Sequence, residues 1–137
     1  MNNYLKTEFT SNSINESLAR IIVSGFVMPL DPTIETLSDV KTAVSEAVTN
    51  SIIHAYGEKE GMVVMELILK ERELTIKVSD SGIGISDIKQ AREPLFTSKP
   101  ECERSGMGFT VMESFMDSLH IISEQGKGTT VIMTKKL

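Results

Sequence analysis

From Thr33 to about Tyr56 the chain carries one long helical pattern, with Leu37, Val40, Val44, Ala47, Val48 and Ser51 along a single stripe. Thr33 stands where an N-cap belongs, its hydroxyl free to accept a first-turn amide. A one-sided helix of this length needs an apolar cover along its whole stripe. Most of the remaining apolar segments are strand-like, so that cover is a sheet. Residues 3–10 alternate, with Leu5, Thr7 and Phe9 on one side and Tyr4, Lys6 and Glu8 on the other. Residues 62–70 and 74–80 read as a hairpin around Glu71-Arg72-Glu73, and 119–124 and 129–135 as a pair flanking Gly126-Lys127-Gly128.

Shorter helices complete the pattern. Ser13-Ile14-Asn15-Glu16 has the form of a capping box. The helix it opens is expected to turn Ile14, Leu18, Ile21, Ile22 and Gly25 inward and leave Ser17, Arg20 and Ser24 outside, ending before Pro29 and Pro32. Ser86 reads as the cap of a short helix to about Arg92, and another helix runs from Gly108 to about Met116. Residues 93–107 are the least regular. The order β-α-α-β-β-α-loop-α-β-β predicts an α+β fold, a two-layer α/β sandwich with a mixed, mostly antiparallel sheet and its helices on one face. No repeat or linker divides the 137 residues, which suit one domain, 1–137, with one core. Met62, Met65, Met112 and Met116 are expected in that core.

A net charge of −5 with no long run of like charge disfavours direct nucleic-acid binding and an anionic membrane surface. The single cysteine, Cys102, excludes an internal disulfide and a cysteine metal cluster, and suits a reducing cytoplasm. No apolar run has signal-peptide or membrane-spanning length, so a soluble, cytoplasmic protein is expected.

Four constellations could carry chemistry. Glu46, Asn50 and His54 recur every four residues and share a helix face. A solvated polar face explains that spacing. So does a phosphate and metal face, on which the Asn oxygen meets Mg²⁺, Glu serves as base and His54 supports. Asp80 closes the apolar row Leu74, Ile76, Val78, where a carboxylate needs a partner. A purine amino group would serve, with Gly82 and Gly84 admitting the flat ring, although an ordinary strand exit has the same residues. Arg104-Ser105-Gly106-Met107-Gly108-Phe109 opens a helix, either as an anion site or as a glycine-rich packing point. Thr129, after the late glycines, is either a hydroxyl beside adenine or part of a plain hairpin. Neither a P-loop nor a dinucleotide-binding fingerprint occurs.

In this order the four constellations resemble the boxes of the GHKL, or Bergerat-fold, ATPases and kinases over roughly residues 33–135. The strings SEAVTNSIIHAY, DSGIGI, EPLFTSKPECERSGMGF and GKGTTV are further similar to the anti-sigma serine kinases of sporulation. Glu46 stands where histidine kinases usually carry Asn. The resemblance implies ATP and Mg²⁺ as cofactors, with Glu46 as general base and Asn50 on the metal. It implies nucleotide contacts from Asp80, Gly82, Gly84 and Thr129, from the lid residues Thr97, Ser98, Lys99 and Arg104, and from Ser105, Gly106, Met107, Gly108 and Phe109. Arg20 would lie on the partner face. The protein would sequester a sporulation sigma factor, phosphorylate a serine of a STAS-type anti-anti-sigma protein, and act as a homodimer. A nucleotide-binding sequestration module without kinase activity, or a stand-alone histidine-kinase-like catalytic domain, are the alternatives.

Overall fold

In the computed structural model, which describes residues 2–85, 87–93 and 108–137, alternation along the strands sorts side chains to the two faces of one sheet. Strands β1 (Asn2–Thr10), β2 (Met62–Lys70), β3 (Glu73–Asp80), β4 (Ser118–Glu124) and β5 (Gly128–Lys136) lie in the order β1-β2-β3-β5-β4. Every pairing is antiparallel, the limiting case of the mostly antiparallel sheet expected. One face carries Met65, Leu67, Leu69, Leu74, Ile76 and Met133, all fully buried. The opposite face sets Lys6, Glu66 and Lys77 side by side across three strands, an alternation of charge that suits a solvated surface.

Helices α1 (Asn15–Val27), α2 (Ile34–Asn50) and α4 (Gly108–Phe115) cover the apolar face. The single turn α3 (Ile88–Ala91) adds no residue to that core. Thr33 caps α2, accepting the Thr36 amide at 3.1 Å. Val40, Val44, Ala47 and Val48 of α2 have no exposed surface and meet the sheet, with α1 and α4 packed on either side. Each buried Val contributes roughly 1.5–3 kcal/mol. Beyond Asn50 the helix does not keep its pitch to Tyr56 as expected. Ser51–Tyr56 is a wider π-helical turn. Such turns re-aim the side chains and carbonyls that follow, and here the Ala55 carbonyl accepts the Ile83 amide at 3.2 Å.

Helix α1 packs through a different face from the one expected. Ala19, Val23 and Val27 are buried, whereas Ile14, Leu18 and Ile21 are exposed and nothing lies near Gly25. Apolar residues surround much of this helix, and the smaller set allows it to approach α2 closely. The Ser13 capping box does not form, because the Glu16 carboxylate is turned toward α2 instead. Asp87 caps α3 by accepting the Gln90 amide at 3.0 Å, while Ser86 lies outside the described residues. Met65, Met112 and Met116 are buried as expected; Met62, at the start of its strand, is exposed.

The β4–β5 turn offers a test of packing against backbone strain. Gly126 (φ 83°) and Gly128 (φ 101°) both have positive φ. A side chain at Gly126 would meet nothing, whereas one at Gly128 would collide with the Asp80 carbonyl. Gly126→Ala should therefore cost only the backbone term, about 1–2 kcal/mol. Gly128→Ala should cost roughly 3 kcal/mol or more, with Tm falling by roughly 4 °C per kcal/mol. Thermal melts of the two variants check this; equal losses would remove the collision from the account.

Candidate functional site

The ends of β3 and β5, the π-helical turn and helices α3 and α4 surround a cleft of about 280 Å³. Its walls are mainly apolar, with Ala47, Ile83, Ile85, Phe109 and Val131 among the lining residues. Antiparallel pairing of β3 with β5 sets Asp80 opposite Thr129. Asp80 Oδ2 accepts the Ser51 hydroxyl at 3.0 Å, and Oδ1 accepts the amides of Gly82 at 3.0 Å and Thr129 at 3.2 Å. Burial raises its pKa above the ordinary 3.8, and the hydrogen bonds from Gly82, Ser51 and Thr129 offset part of that rise. The carboxylate expected to want a partner thus has three inside the chain while still lining the cleft.

Around it the glycines serve the protein's own packing. A side chain at Gly82 would strike Ala55, and one at Gly84 (φ 75°) would strike the Glu124 carbonyl. Of the two, Gly84 lines the cleft and Gly82 does not. Thr129 is buried at the cleft wall, with its hydroxyl bonded to that of Ser123 at 2.7 Å. Phe109 and His54 also line it. Ser51, expected only as part of the core stripe, is the residue missed. It follows Asn50 directly, but nothing in the sequence links it to a carboxylate 29 positions away.

Also at the cleft, α4 begins against α2. A methyl group built on Gly108 would lie 3.2 Å from Asn50 Oδ1, and 3.3 Å from both Asn50 Nδ2 and Glu46 Oε2. Three residues from two sequence motifs therefore converge, and glycine gives the helix start its closest approach to the other two. Asn50 faces the cleft. Glu46 lines instead an adjoining groove on the outer side of α2, together with Leu37, Lys41, Thr42, Ser45 and Arg20. Arg20, expected to project away into solvent, folds toward α2 and donates to the Ser45 hydroxyl at 3.0 Å and to Glu16 at 3.3 Å. The carboxylate and hydroxyls on that side draw it in. Thr97, Ser98, Lys99, Arg104, Ser105, Gly106 and Met107 lie outside the described residues.

Chemically, the site offers a mainly apolar cleft whose lining includes the Asp80 carboxylate and the Asn50 amide side chain. Among the described residues no group of three or more His, Cys, Asp or Glu could hold a metal ion. A divalent ion here would rest on Asn50 and on oxygens brought by a ligand, the arrangement Mg²⁺ favours. Asp80 suits a purine amino group because an ionised carboxylate accepts hydrogen bonds and donates none.

Residues 15–135 match the family model described as the histidine kinase-like ATPase domain. The chain is 63% identical over 133 residues to an anti-sigma F factor of Clostridium kluyveri, covering 97% of this chain and 94% of that one. It is 58% identical over 138 residues to an anti-sigma F factor of Clostridium perfringens, covering 100% and 99%. Among solved structures, it superposes with a TM-score of 0.71 and 17% identity on the RsbU and RsbW domains of Rv1364c from Mycobacterium tuberculosis. That match covers 98% of this chain and 32% of the other, and shows a shared fold. Among the described residues no helix is long and apolar enough to cross a membrane.

Proposed function

The chain belongs to the histidine kinase-like ATPase domain family and, within it, to the anti-sigma F factors, and from that premise we propose that it is an ATP-dependent protein-serine kinase that also holds a sporulation sigma factor captive. Its phosphate acceptor is a serine of a STAS-type anti-anti-sigma protein. The observation that carries this reading is the convergence of Glu46, Asn50 and Gly108 where cleft and groove meet. Nucleotide phosphates in the cleft would reach Asn50 from one side, and an acceptor hydroxyl in the groove would reach Glu46 from the other.

When bound, Mg·ATP supplies the phosphoryl group, with Asn50 holding the ion and Asp80 accepting from the adenine amino group. Glu46 would take the proton of the serine hydroxyl as that oxygen bonds to the γ-phosphorus and the bond to the bridging oxygen breaks, releasing ADP. The phosphate contacts are assigned to the amides around Gly106 and Gly108 and to Thr97, Ser98, Lys99 and Arg104, in the sequence between α3 and α4, both of which border the cleft. The protein works as a homodimer in the cytoplasm. The exposed Ile14, Leu18 and Ile21 of α1 and the unpaired edge of β1 offer a second copy an apolar face and a free strand.

Incubation with γ-labelled ATP and a purified STAS-type anti-anti-sigma protein tests the reading. Acid-stable phosphoserine on that protein is expected. Acid-labile label would point to histidine chemistry, and tight sigma binding without transfer to a sequestration module. Asn50→Ala should weaken Mg·ATP binding or slow turnover by about tenfold or more, the loss of one charge-assisted contact. Unchanged affinity together with unchanged transfer would remove Asn50 from the metal.

A further inference from the structure

Helices α1 and α2 are joined by a polar cluster that the chemistry above leaves unused. Glu16 Oε1 accepts from Arg20 Nη1 at 3.3 Å and from the Ser45 hydroxyl at 3.2 Å, while Oε2 accepts the Thr49 hydroxyl at 3.0 Å. Arg20 Nη1 donates to Ser45 Oγ at 3.0 Å, closing a ring of three residues. Ser45 and Thr49 are buried, and they directly precede Glu46 and Asn50. One carboxylate therefore grips the cation in the groove and both turns of α2 that carry Glu46 and Asn50.

We propose that Glu16 is a positioning residue: through Ser45 and Thr49 it couples a protein partner at Arg20 to the turn of α2 that presents Glu46 and Asn50. Residues i and i+4 share a helix face, and the next residue lies about 100° round the axis. Ser45 and Thr49 form one such row, and Glu46 and Asn50 form the neighbouring row. A shift of the Glu16 carboxylate acts on the first row and so rotates or tilts the second. A partner that draws Arg20 out of the ring takes a cation from the largely covered Glu16 carboxylate and a donor from the buried Ser45 hydroxyl. Leaving such groups unmatched is costly, so the clamp must repack. Partner and nucleotide then change each other's affinity by one common factor.

The proposal rests on the reading that nucleotide occupies the cleft and that the partner engages Arg20. Its test is a thermodynamic cycle: the Kd of Mg·ATP for the full chain, measured with and without saturating purified sigma F. In the unaltered protein the two values should differ by about fivefold or more, the lower end of ordinary coupling. Thr49→Val keeps the shape, removes one bond of the clamp, and touches neither Arg20 nor the cleft wall. It should leave the Kd for ATP alone within about threefold and bring the ratio within about twofold of one. Glu16→Gln should do the same to the ratio and weaken sigma F binding by about tenfold. Thr49→Val alone decides if Glu16→Gln lacks a cooperative melt. A ratio of one in the unaltered protein, or an unchanged ratio in Thr49→Val, overturns the positioning role. Absence of any ATP or sigma F binding by the unaltered protein overturns the function proposed above, and this role with it.

Discussion

Glu46→Gln should transfer phosphate to the acceptor serine about 10²–10⁴ times more slowly while keeping Mg·ATP and sigma binding. The amide has the shape of the carboxylate but cannot take the proton of the attacking hydroxyl. The geometry makes the separation of effects specific. Glu46 lines the groove and is not among the residues that line the cleft, so Glu46→Gln leaves the nucleotide's walls in place. Single-turnover transfer to the purified acceptor, with ATP affinity measured alongside, is the check. A rate within a few-fold of the unaltered protein would reject the base and favour a binding module. A loss confined to ATP affinity would move Glu46 to the metal.

Asp80→Asn should weaken ATP by about 10–100-fold, the value of a hydrogen bond to a charged group. The fold should nonetheless be no less stable at neutral pH. The side-chain oxygen of the new amide can still accept from Gly82 and Thr129, its nitrogen can meet the Ser51 oxygen, and no half-buried charge remains. The sign of the pH effect follows from the raised pKa. Between the ordinary value of 3.8 and the raised one, the folded protein holds more protons than the unfolded chain. Asp80's contribution to stability therefore falls as pH rises through that window and is level above it. ATP recognition runs the opposite way: the ionised carboxylate is the stronger acceptor, so affinity should fall as pH drops through the raised pKa. The Asp80→Asn variant should lack both dependences. Guanine presents a carbonyl where adenine has its amino group, so GTP should compete poorly with the unaltered protein. Melts and nucleotide titrations across the acid range test all of this, and equal competition by GTP would end the adenine assignment.

Much of the fold was legible because its signals are periodic. Alternation in 3–10, 62–70 and 74–80 and the stripe from Leu37 to Val48 named the strands, the central helix and the layer they share. Periodicity failed on α1, where apolar residues cover too much of the circumference for spacing to choose between Leu18/Ile21 and Ala19/Val23. It also could not see that the helix widens its pitch at Ser51, since π-turns have no repeat of their own. Of the residues that line the cleft, Asn50, Asp80, Gly84 and Gly108 stand out in the sequence as residue types at set spacings. Their neighbours do not. The Ser51–Asp80 bond, the inward fold of Arg20 and the Glu16 clamp join segments 25 to 33 positions apart, which only tertiary packing brings together.

In the sheet order β1-β2-β3-β5-β4, the strand nearest the C-terminus is not at an edge but between two earlier ones. During synthesis β3 must therefore wait with one side unpaired, and Asp80 lacks the Thr129 amide, until residues 128–136 have left the ribosome. Up to that moment the growing chain has only part of the cleft wall, because Thr129 and Val131 belong to the missing strand. The cleft is thus completed only when β5 pairs with β3, in one step and not strand by strand. Until then the open side of β3 is a surface that another unfinished chain on the same message could pair with.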